Sequence, residues 1–571
     1  MVGWSRWAMD DSNQFATILA CFEATKPNYQ GSQFQDPQTQ PLVAEAGVLL
    51  EKCKALARSL KVGRPSRSLE LPGCFALVPP QRELSDSMAA LYIRSFESAH
   101  RILHVPSFWD EYARFWDQSD NLTTGERLKM LLVIGIGSSL SDHVDSHPEF
   151  GDTVRRWIYA AQTWLSGPLE KNRLDITGIQ VHCLTILARQ LFSVGGDLVW
   201  MSMGSLIHRA MQMGLHRDPR HLEPMPILRA EIRRRLWATI LEMAVQSSLD
   251  AWMPPRISFD EFDSEPPSNV NDEDINGETT ELLPQPRDVY TATSMQLILL
   301  DSLRTRLRVV QLLNSLNFEL SYADVLALSS EISNACRACG TFLRANAGAG
   351  VTSFHRNLMD YLLRRLLLPL QLPFSSKARS NPIFHYSRKL SLDTSLALVS
   401  PEPDKSFSHV LAMGGGLFRE GVRTAVGIIG LELLVQTETD KLDGTLFRRS
   451  QYREALKQAI RDMVSLSVTR IQLGETNVKL HTYLSMLLAQ VEAMENDSSI
   501  EFNVAKAARD SVAFCYEIME HRVASLPQEG RSEMDVSAIF DDVEGEERLG
   551  SGLGLGMDFD LGYFLPGEAF M

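Results

Sequence analysis

The sequence predicts an all-α fold, a large multi-helix bundle or array lying between a loosely ordered N-terminal segment (1–83) and a disordered acidic C-terminal tail (524–571). Three observations lead there. Apolar residues recur at three- and four-residue spacing through most of 84–523, which is the period of one face of an α-helix. No convincing run alternates apolar and polar residues as a half-buried strand would. Hydrophobic residues make up 44% and charged residues 22% of 571 positions, so the chain can bury enough apolar surface to offset its folding entropy.

Taken in order, the N-terminal segment holds a Gln/Pro-rich stretch (Gln33 to Pro41), one helix from Val43 to Leu60 and a Pro-containing linker to Pro80. Its basic residues Lys52, Lys54, Arg58, Lys61, Arg64 and Arg67 read as the solvated face of that helix, or as an import signal before a DNA contact. The helical body opens with Leu84, Met88, Leu91, Tyr92, Phe96, Ala99 and Leu103 on one face behind a Ser85 cap. The same periodicity predicts helices over 127–140, 153–165, 178–191, 198–214, 226–251, 291–316, 322–345, 353–368, 418–435, 452–473, 478–494 and 504–523. The heptad-like Leu480, Leu484, Leu487, Val491 and Met494 extend too briefly for a coiled coil and read as core. Two stretches, Pro254 to Pro286 and Leu398 to Gly416, carry the Pro, Asp, Asn and Gly content of loops.

Charge narrows the function. The formal net charge is −15, which argues against a broad surface for a polyanion. From Leu526 to Met571 eleven carboxylates face two arginines, a net of −9, so over half of that charge sits in the tail. There Ile539-Phe540-Asp541-Asp542 and the run Met557 to Leu565 interleave carboxylates with large apolar side chains, a pattern suited to an activation segment that a coactivator groove would bind. Seven scattered cysteines fit reduced intracellular thiols better than a disulfide framework. The apolar run Phe15 to Phe22 follows Asp10 and Asp11, unlike a signal peptide. Leu131 to Ile136 is too short to span a bilayer, and Tyr361 to Phe374 is broken by Arg364, Arg365 and Pro369.

No catalytic, cofactor-binding or metal-binding residue is assigned from the sequence. Asp142, His143, Asp145 and His147 follow an apolar helix and end at Pro148, which reads as a solvated loop lacking further ligands. Cys336 and Cys339 supply two thiols one turn apart, but a tetrahedral zinc needs four ligands. Asn271-Asp272-Glu273-Asp274 begins like a terpene-cyclase magnesium motif, yet Ile275 and Thr279 stand where its hydroxyl and Glu ligands belong. Asp541-Asp542 fails similarly at Gly545. The chain has neither a Gly-x-Ser-x-Gly elbow nor a phosphate-binding Gly-x-x-x-x-Gly-Lys loop, and Gly414 to Gly416 follows no strand.

The strongest signal is a pair of motifs. Gly196-Asp197-Leu198-Val199-Trp200 leads into Ala210-Met211-Gln212-Met213-Gly214-Leu215-His216-Arg217-Asp218-Pro219, and Glu231-Ile-Arg-Arg-Arg-Leu-Trp237 follows. This arrangement resembles the middle homology region of fungal zinc-cluster transcription factors. Family-like pieces continue it: Arg101-Ile-Leu-His-Val-Pro-Ser-Phe-Trp109, Phe354-His355 through Arg364-Arg365 to Pro373-Phe374, Ser387-Arg388-Lys389 and Gly474-Glu-Thr-Asn-Val478. Gln371 and Leu372 depart from the family's usual Leu-His-Arg-Pro-Phe. Physically, Gly214 suits a helix end at positive φ and Pro219 blocks continuation. Arg233, Arg234 and Arg235 are expected to anchor neighbouring helices or acidic loop residues such as Asp260, Asp263 and Asp272, in preference to reading DNA.

The resemblance implies that 84–523 is the all-α regulatory domain of a nuclear transcription regulator of pathway-specific genes, with no enzymatic activity and no cofactor. A binuclear zinc cluster needs six cysteines in a short stretch, whereas Cys21, Cys53 and Cys74 alone precede Ser85. Either the regulator pairs, as a homo- or heterodimer, with a DNA-bound partner, or the module lies upstream of Met1. Transcription machinery or a coactivator would meet the acidic tail. The alternatives are a helical corepressor or scaffold acting only through proteins, and, more remotely, a helical enzyme.

Overall fold

A computed structural model describes residues 12–26, 29, 31–62, 77–117, 121–141, 148–167, 174–315 and 320–524. Among them the chain is all-α, with no strand. In chain order the helices are α1 (Ala16–Ala24), α2 (Gln40–Val62), α3 (Arg82–Ser95), α4 (Val105–Asp117), α5 (Thr124–Ser138), α6 (Pro148–Ser166) and α7 (Ile176–Leu191). Then follow α8 (Val199–Gln212), α9 (Ile227–Ala251), α10 (Ser294–Asp301), α11 (Leu303–Leu313), α12 (Tyr322–Ala345), α13 (Ser353–Arg364) and α14 (Leu367–Ser375). The last are α15 (His385–Val399), α16 (Lys405–Met413), α17 (Gly415–Leu442), α18 (Ser450–Gln472), α19 (Lys479–Glu495) and α20 (Ile500–Ala524). They gather into two compact units, one formed by 1–69, 375–399 and 423–571, the other by 70–374 and 400–422.

In the first unit α2 lies along α20 in the same direction. Glu45 pairs with Arg509 at 3.6 Å, and further along Lys52 lies over the Tyr516 ring at 5.6 Å. Cys53, Ala57, Ile471, Val478, Val512, Cys515 and Met519 close a core between them. α1 buries Ile18, Leu19, Cys21 and Phe22, and Phe15 packs on Tyr483. The N-terminal segment expected to be loosely ordered therefore contributes two packed helices. The apolar run Phe15 to Phe22 falls, from Ala16 on, within one of them, a helix of only nine residues. On α2 the side chains of Lys52, Lys54 and Arg58 are exposed, as a solvated face requires, while Arg64 and Arg67 lie outside the described residues. Of the heptad-like set on α19, Leu484, Leu487 and Val491 are fully buried.

The second unit is organised around α9, whose residues from Leu236 to Leu249 are all buried. Helix starts follow the capping chemistry of the sequence. Thr123 and Glu126 form a reciprocal capping box on α5, Asp175 caps α7 through Gly178 N–H at 2.7 Å, and Ser321 caps α12 through Asp324 N–H at 3.1 Å. Gly137 is required by packing: a Cβ there would sit 1.8 Å from the Met88 carbonyl oxygen, so α3 and α5 touch backbone to backbone.

Four expectations are corrected. α3 begins at Arg82 with Gln81 as its cap, and the Ser85 hydroxyl instead donates to the Pro80 carbonyl at 3.2 Å. The helix expected over 291–316 breaks at Ser302, whose hydroxyl bonds back to Leu299 O at 3.1 Å. The helix expected over 353–368 ends at Arg364, because Pro369 lacks an N–H and is accommodated in the first turn of α14. The loop expected over 398–416 contains α16, capped by Asp404 onto Phe407 N–H at 2.8 Å. By contrast 254–286 is irregular apart from two single turns, Phe259–Glu261 and Asp272–Asp274.

Candidate functional site

The two signature motifs meet in the second unit. α8 ends with Gly214 at φ 72°, and the Leu215 N–H closes back onto Ala210 O at 2.9 Å, the left-handed helix stop that glycine permits. The chain then turns at Asp218, which caps the single turn Pro219–His221. The three consecutive arginines of α9 each go to a different acceptor. Arg233 donates to the Met213 carbonyl at the C-terminus of α8, at 2.9 Å, where a cation meets the negative end of the helix dipole. Arg234 forks onto Asp218 at 2.9 and 3.0 Å and reaches Glu231 at 2.8 Å. Arg235 donates to Asp272 at 2.7 Å and to the Thr293 hydroxyl at 3.3 Å.

Asp218 is fully buried. Burial pushes its carboxyl up, but the fork of Arg234 and the Arg220 and Glu265 N–H groups outweigh this and hold it at about 2. Asp263 accepts from the Asp218 N–H at 2.9 Å and pairs with Arg217 at 3.1 Å. Trp237 packs on the His216 and Phe262 rings, at 6.2 and 5.8 Å. Of the three acidic loop residues expected as anchors, Asp272 holds one of the run of arginines, Asp263 holds Arg217 instead, and Asp260 is exposed. The sequence reading missed Asp218 and Glu231 as partners, although both lie inside the motifs.

Asp272 joins a third motif. One of its oxygens accepts from both Arg101 and Arg235, and the other accepts the Val105 N–H at 2.7 Å. His104 Nε2 faces the Asp272 and Ile275 carbonyls, each at 3.0 Å; two carbonyls can only accept, so that nitrogen carries the proton. Within the motif that failed as a magnesium site, Asp272 is instead the anion between two buried guanidinium groups. Burial raises the Asp272 carboxyl, yet Arg101 and then Arg235 more than reverse this and hold it well below the usual carboxylate range. Nearby, Glu97 accepts from the Tyr92 hydroxyl and the Leu103 N–H, both at 2.7 Å. Burial pushes Glu97 up to about 8 against the pull of Arg101.

These contacts belong to a polar stripe on α9. Glu231, Arg235, Thr239, Glu242, Gln246 and Asp250 follow one another every three or four residues and so share a face. Glu231 holds the Ser268 N–H at 2.8 Å, and Thr239 accepts from Gln296 at 2.9 Å. Glu242 takes both Nη of Arg306, at 2.9 and 2.6 Å. Gln246 donates to Leu362 O at 3.1 Å, and Asp250 pairs with Arg365, which also lies against Tyr361. The six rungs fasten four segments to α9: loop 254–293, α10, α11 and the end of α13.

The other sequence candidates fall elsewhere. Cys336 and Cys339 are buried on α12, and burial pushes both thiols up to about 12, so they remain neutral. Gly414 and Gly415 end α16 and begin α17. The Asp142 to His147 cluster, Cys74 and the tail segments 539–542 and 557–565 lie outside the described residues. Among the described residues no group of three or more His, Cys, Asp or Glu could hold a metal.

The signature arginines are committed to internal carboxylates and carbonyls, which makes their role in this body structural. Comparison with known proteins identifies the family. The model of the fungal specific transcription factor domain matches residues 90–333. The chain is 42% identical to transcription factor asR3 of Sarocladium schorii, over 93% of this chain and 68% of that protein. It is 32% identical to transcription factor opdR of Penicillium oxalicum, over 90% of this chain and 68% of that one. It is 31% identical to the aspyridones cluster regulator apdR of Emericella nidulans, over 74% of this chain and 59% of the other. No solved structure matches. The chain belongs to the fungal-specific transcription factor family, and its role is in transcription regulation.

Proposed function

We propose that this chain is a nuclear regulator of a pathway-specific gene set, of the kind formed by one metabolite biosynthetic cluster. The observation that carries the reading is the 42% identity to a transcription factor across 93% of the chain, joined by a likeness to a protein named as a cluster regulator. The helical body supports a platform role, since Arg233 and Arg235 are buried and Arg234 is forked onto Asp218, leaving none of them to neutralise phosphate. DNA would be reached through a zinc cluster upstream of Met1, or through a homo- or heterodimeric partner that carries one. The acidic and aromatic residues between Ile539 and Leu565 would recruit a coactivator or the transcription machinery. The named relatives lend no support to the alternative of a helical corepressor or scaffold acting only through protein partners. No described helix is long and apolar enough to cross a membrane.

The test is a null allele with transcripts measured across the genome. Transcripts should fall together at one contiguous group of biosynthetic genes; scattered changes, or none, would overturn the proposal.

A further inference from the structure

In the second unit a cleft of about 580 Å³ opens between α10–α11 and α12. That volume lies within the range of sites for compact organic molecules. Its apolar wall is Leu297, Ile298, Ala335, Ala338 and Phe342, and the neutral thiol of Cys339 adds to it; Phe342 is backed by Tyr290 at 6.4 Å. Its polar residues are weighted towards acceptors. Asp301 and Glu331 both line it against one cation, Arg287, which pairs with Asp301. Glu331 takes the Thr305 hydroxyl at 2.6 Å on one oxygen, while no described residue donates to its other oxygen.

The cleft is wired to the polar stripe of α9. Ser302, on its wall, accepts from Arg306 Nε at 2.9 Å, and the same guanidinium holds Glu242. Asn269, also on its wall, donates to the Pro286 and Val289 carbonyls at 2.7 and 3.0 Å and accepts from Thr291 and Ser294. It thereby sets the shape of the loop that carries Asp272. A molecule seated in the cleft would touch both groups.

We propose that this cleft is an effector site for a small organic amine, with an aromatic or branched body on the Leu297–Phe342 wall and its ammonium between Asp301 and Glu331. Arg287 and Thr305 each occupy one oxygen of Asp301 and Glu331, so the ammonium would donate to the second oxygen of each, with the apolar body against the Leu297–Phe342 wall. Anionic ligands are disfavoured, because Arg287 is already paired.

The experiment is calorimetric titration of the full chain with 2-phenylethylamine, with phenylacetate as the matched anion. Saturable one-to-one binding is expected, with a Kd on the order of 1 mM for so small a probe. Asp301→Asn together with Glu331→Gln should weaken it about tenfold or more, as expected from losing charged hydrogen bonds. Ala338→Trp should abolish it by filling the cleft. Asp301, Glu331 and Ala338 are exposed, so these variants should unfold at the wild-type temperature; if Ala338→Trp does not fold, the carboxylate variants decide alone. Absence of saturable binding, equal binding of phenylacetate, or full binding by the filled or neutralised variants would each overturn the proposal. The gene-set reading stands or falls separately, on transcripts.

Discussion

Replacing Asp272 by Asn tests whether the shared carboxylate holds the second unit together. The wild-type side chain is 1% exposed and faces Arg101 and Arg235 at 3% and 1%, so solvent neither screens the pair nor relieves its loss. Asn keeps one acceptor oxygen for the Val105 N–H or one guanidinium, presents an NH2 to the other donors, and leaves two buried cations without an anion. Removing one partner of a buried pair costs about 3–5 kcal/mol. Glu97 offsets part of this: Asp272 is among the charges holding its proton on, so without Asp272 it ionises more readily beside Arg101. The net loss at neutral pH is therefore set near about 3 kcal/mol. The two units need not unfold in one transition, so the measurement is native-state hydrogen exchange on peptides covering 97–109 and 231–240. Asp274→Asn is the control, because that exposed residue only accepts the Asn271 N–H at 3.2 Å and should cost under about 0.5 kcal/mol. If Asp272→Asn changes protection by less than about 1 kcal/mol, two buried guanidinium groups are being satisfied some other way and the reasoning fails.

Glu97 should make stability fall with rising pH. Its carboxyl moves from 4.5 to about 8 on folding, so between those values the native state holds a proton that the unfolded chain has released. The contribution is complete below about pH 4.5 and is lost as the pH rises through about 8; urea midpoints near pH 6 and pH 8.5 should differ in wild type and draw together in Glu97→Gln. Gly137→Ala should destabilise by at least about 1–3 kcal/mol, since its Cβ would overlap the Met88 carbonyl. Gly204→Ala on α8 meets nothing within 4 Å and should stabilise by about 0.5–1 kcal/mol; thermal melts reversing that order would count against the packing described. Deleting Asp558 to Leu565 should abolish activation of a reporter, and an unchanged reporter would show that the acidic aromatic run is inert.

Helix content was legible where an amphipathic face lasts several turns: α12 begins and ends at the residues its periodicity predicts, Tyr322 and Ala345. Short helices escaped. α16 has nine residues, and Phe407, Val410 and Leu411 complete only about one period before Gly414. Breaks escaped too, because Ser302 differs from its neighbours by a hydroxyl bonding backwards rather than by any change of hydrophobic pattern. At the site, the motifs and the internal use of their arginines were legible, but not the pairing. Arg101 lies 171 residues from Asp272, and a carboxylate among Asn, Glu and Asp in a loop looks solvated until the loop is folded onto α9. Asp218 was hidden because the motif around it reads as a helix stop, and the arginine it holds lies 16 residues further on.

The placement of charge explains how such a body could serve regulation without reading DNA. Apolar contacts between helices are non-directional, whereas a forked guanidinium and carboxylate fix both distance and direction. α9 carries such a fork at Glu242 and single buried guanidinium–carboxylate pairs at Arg235 and Asp250, and the same helix extends Glu231 to loop 254–293. A change of geometry at one rung cannot be absorbed locally by sliding; it must break a buried pair or carry the attached segment with it. Ser302 on the cleft wall accepts from Arg306, the partner of Glu242, and Asn269 on the same wall is bonded within the loop that holds Asp272, so a molecule in the proposed site would act on both. Of the basic run that from sequence alone could be taken for a nucleic-acid contact, Arg235 thus fastens that loop, while Arg233 and Arg234 hold the end of α8 and the turn that follows it.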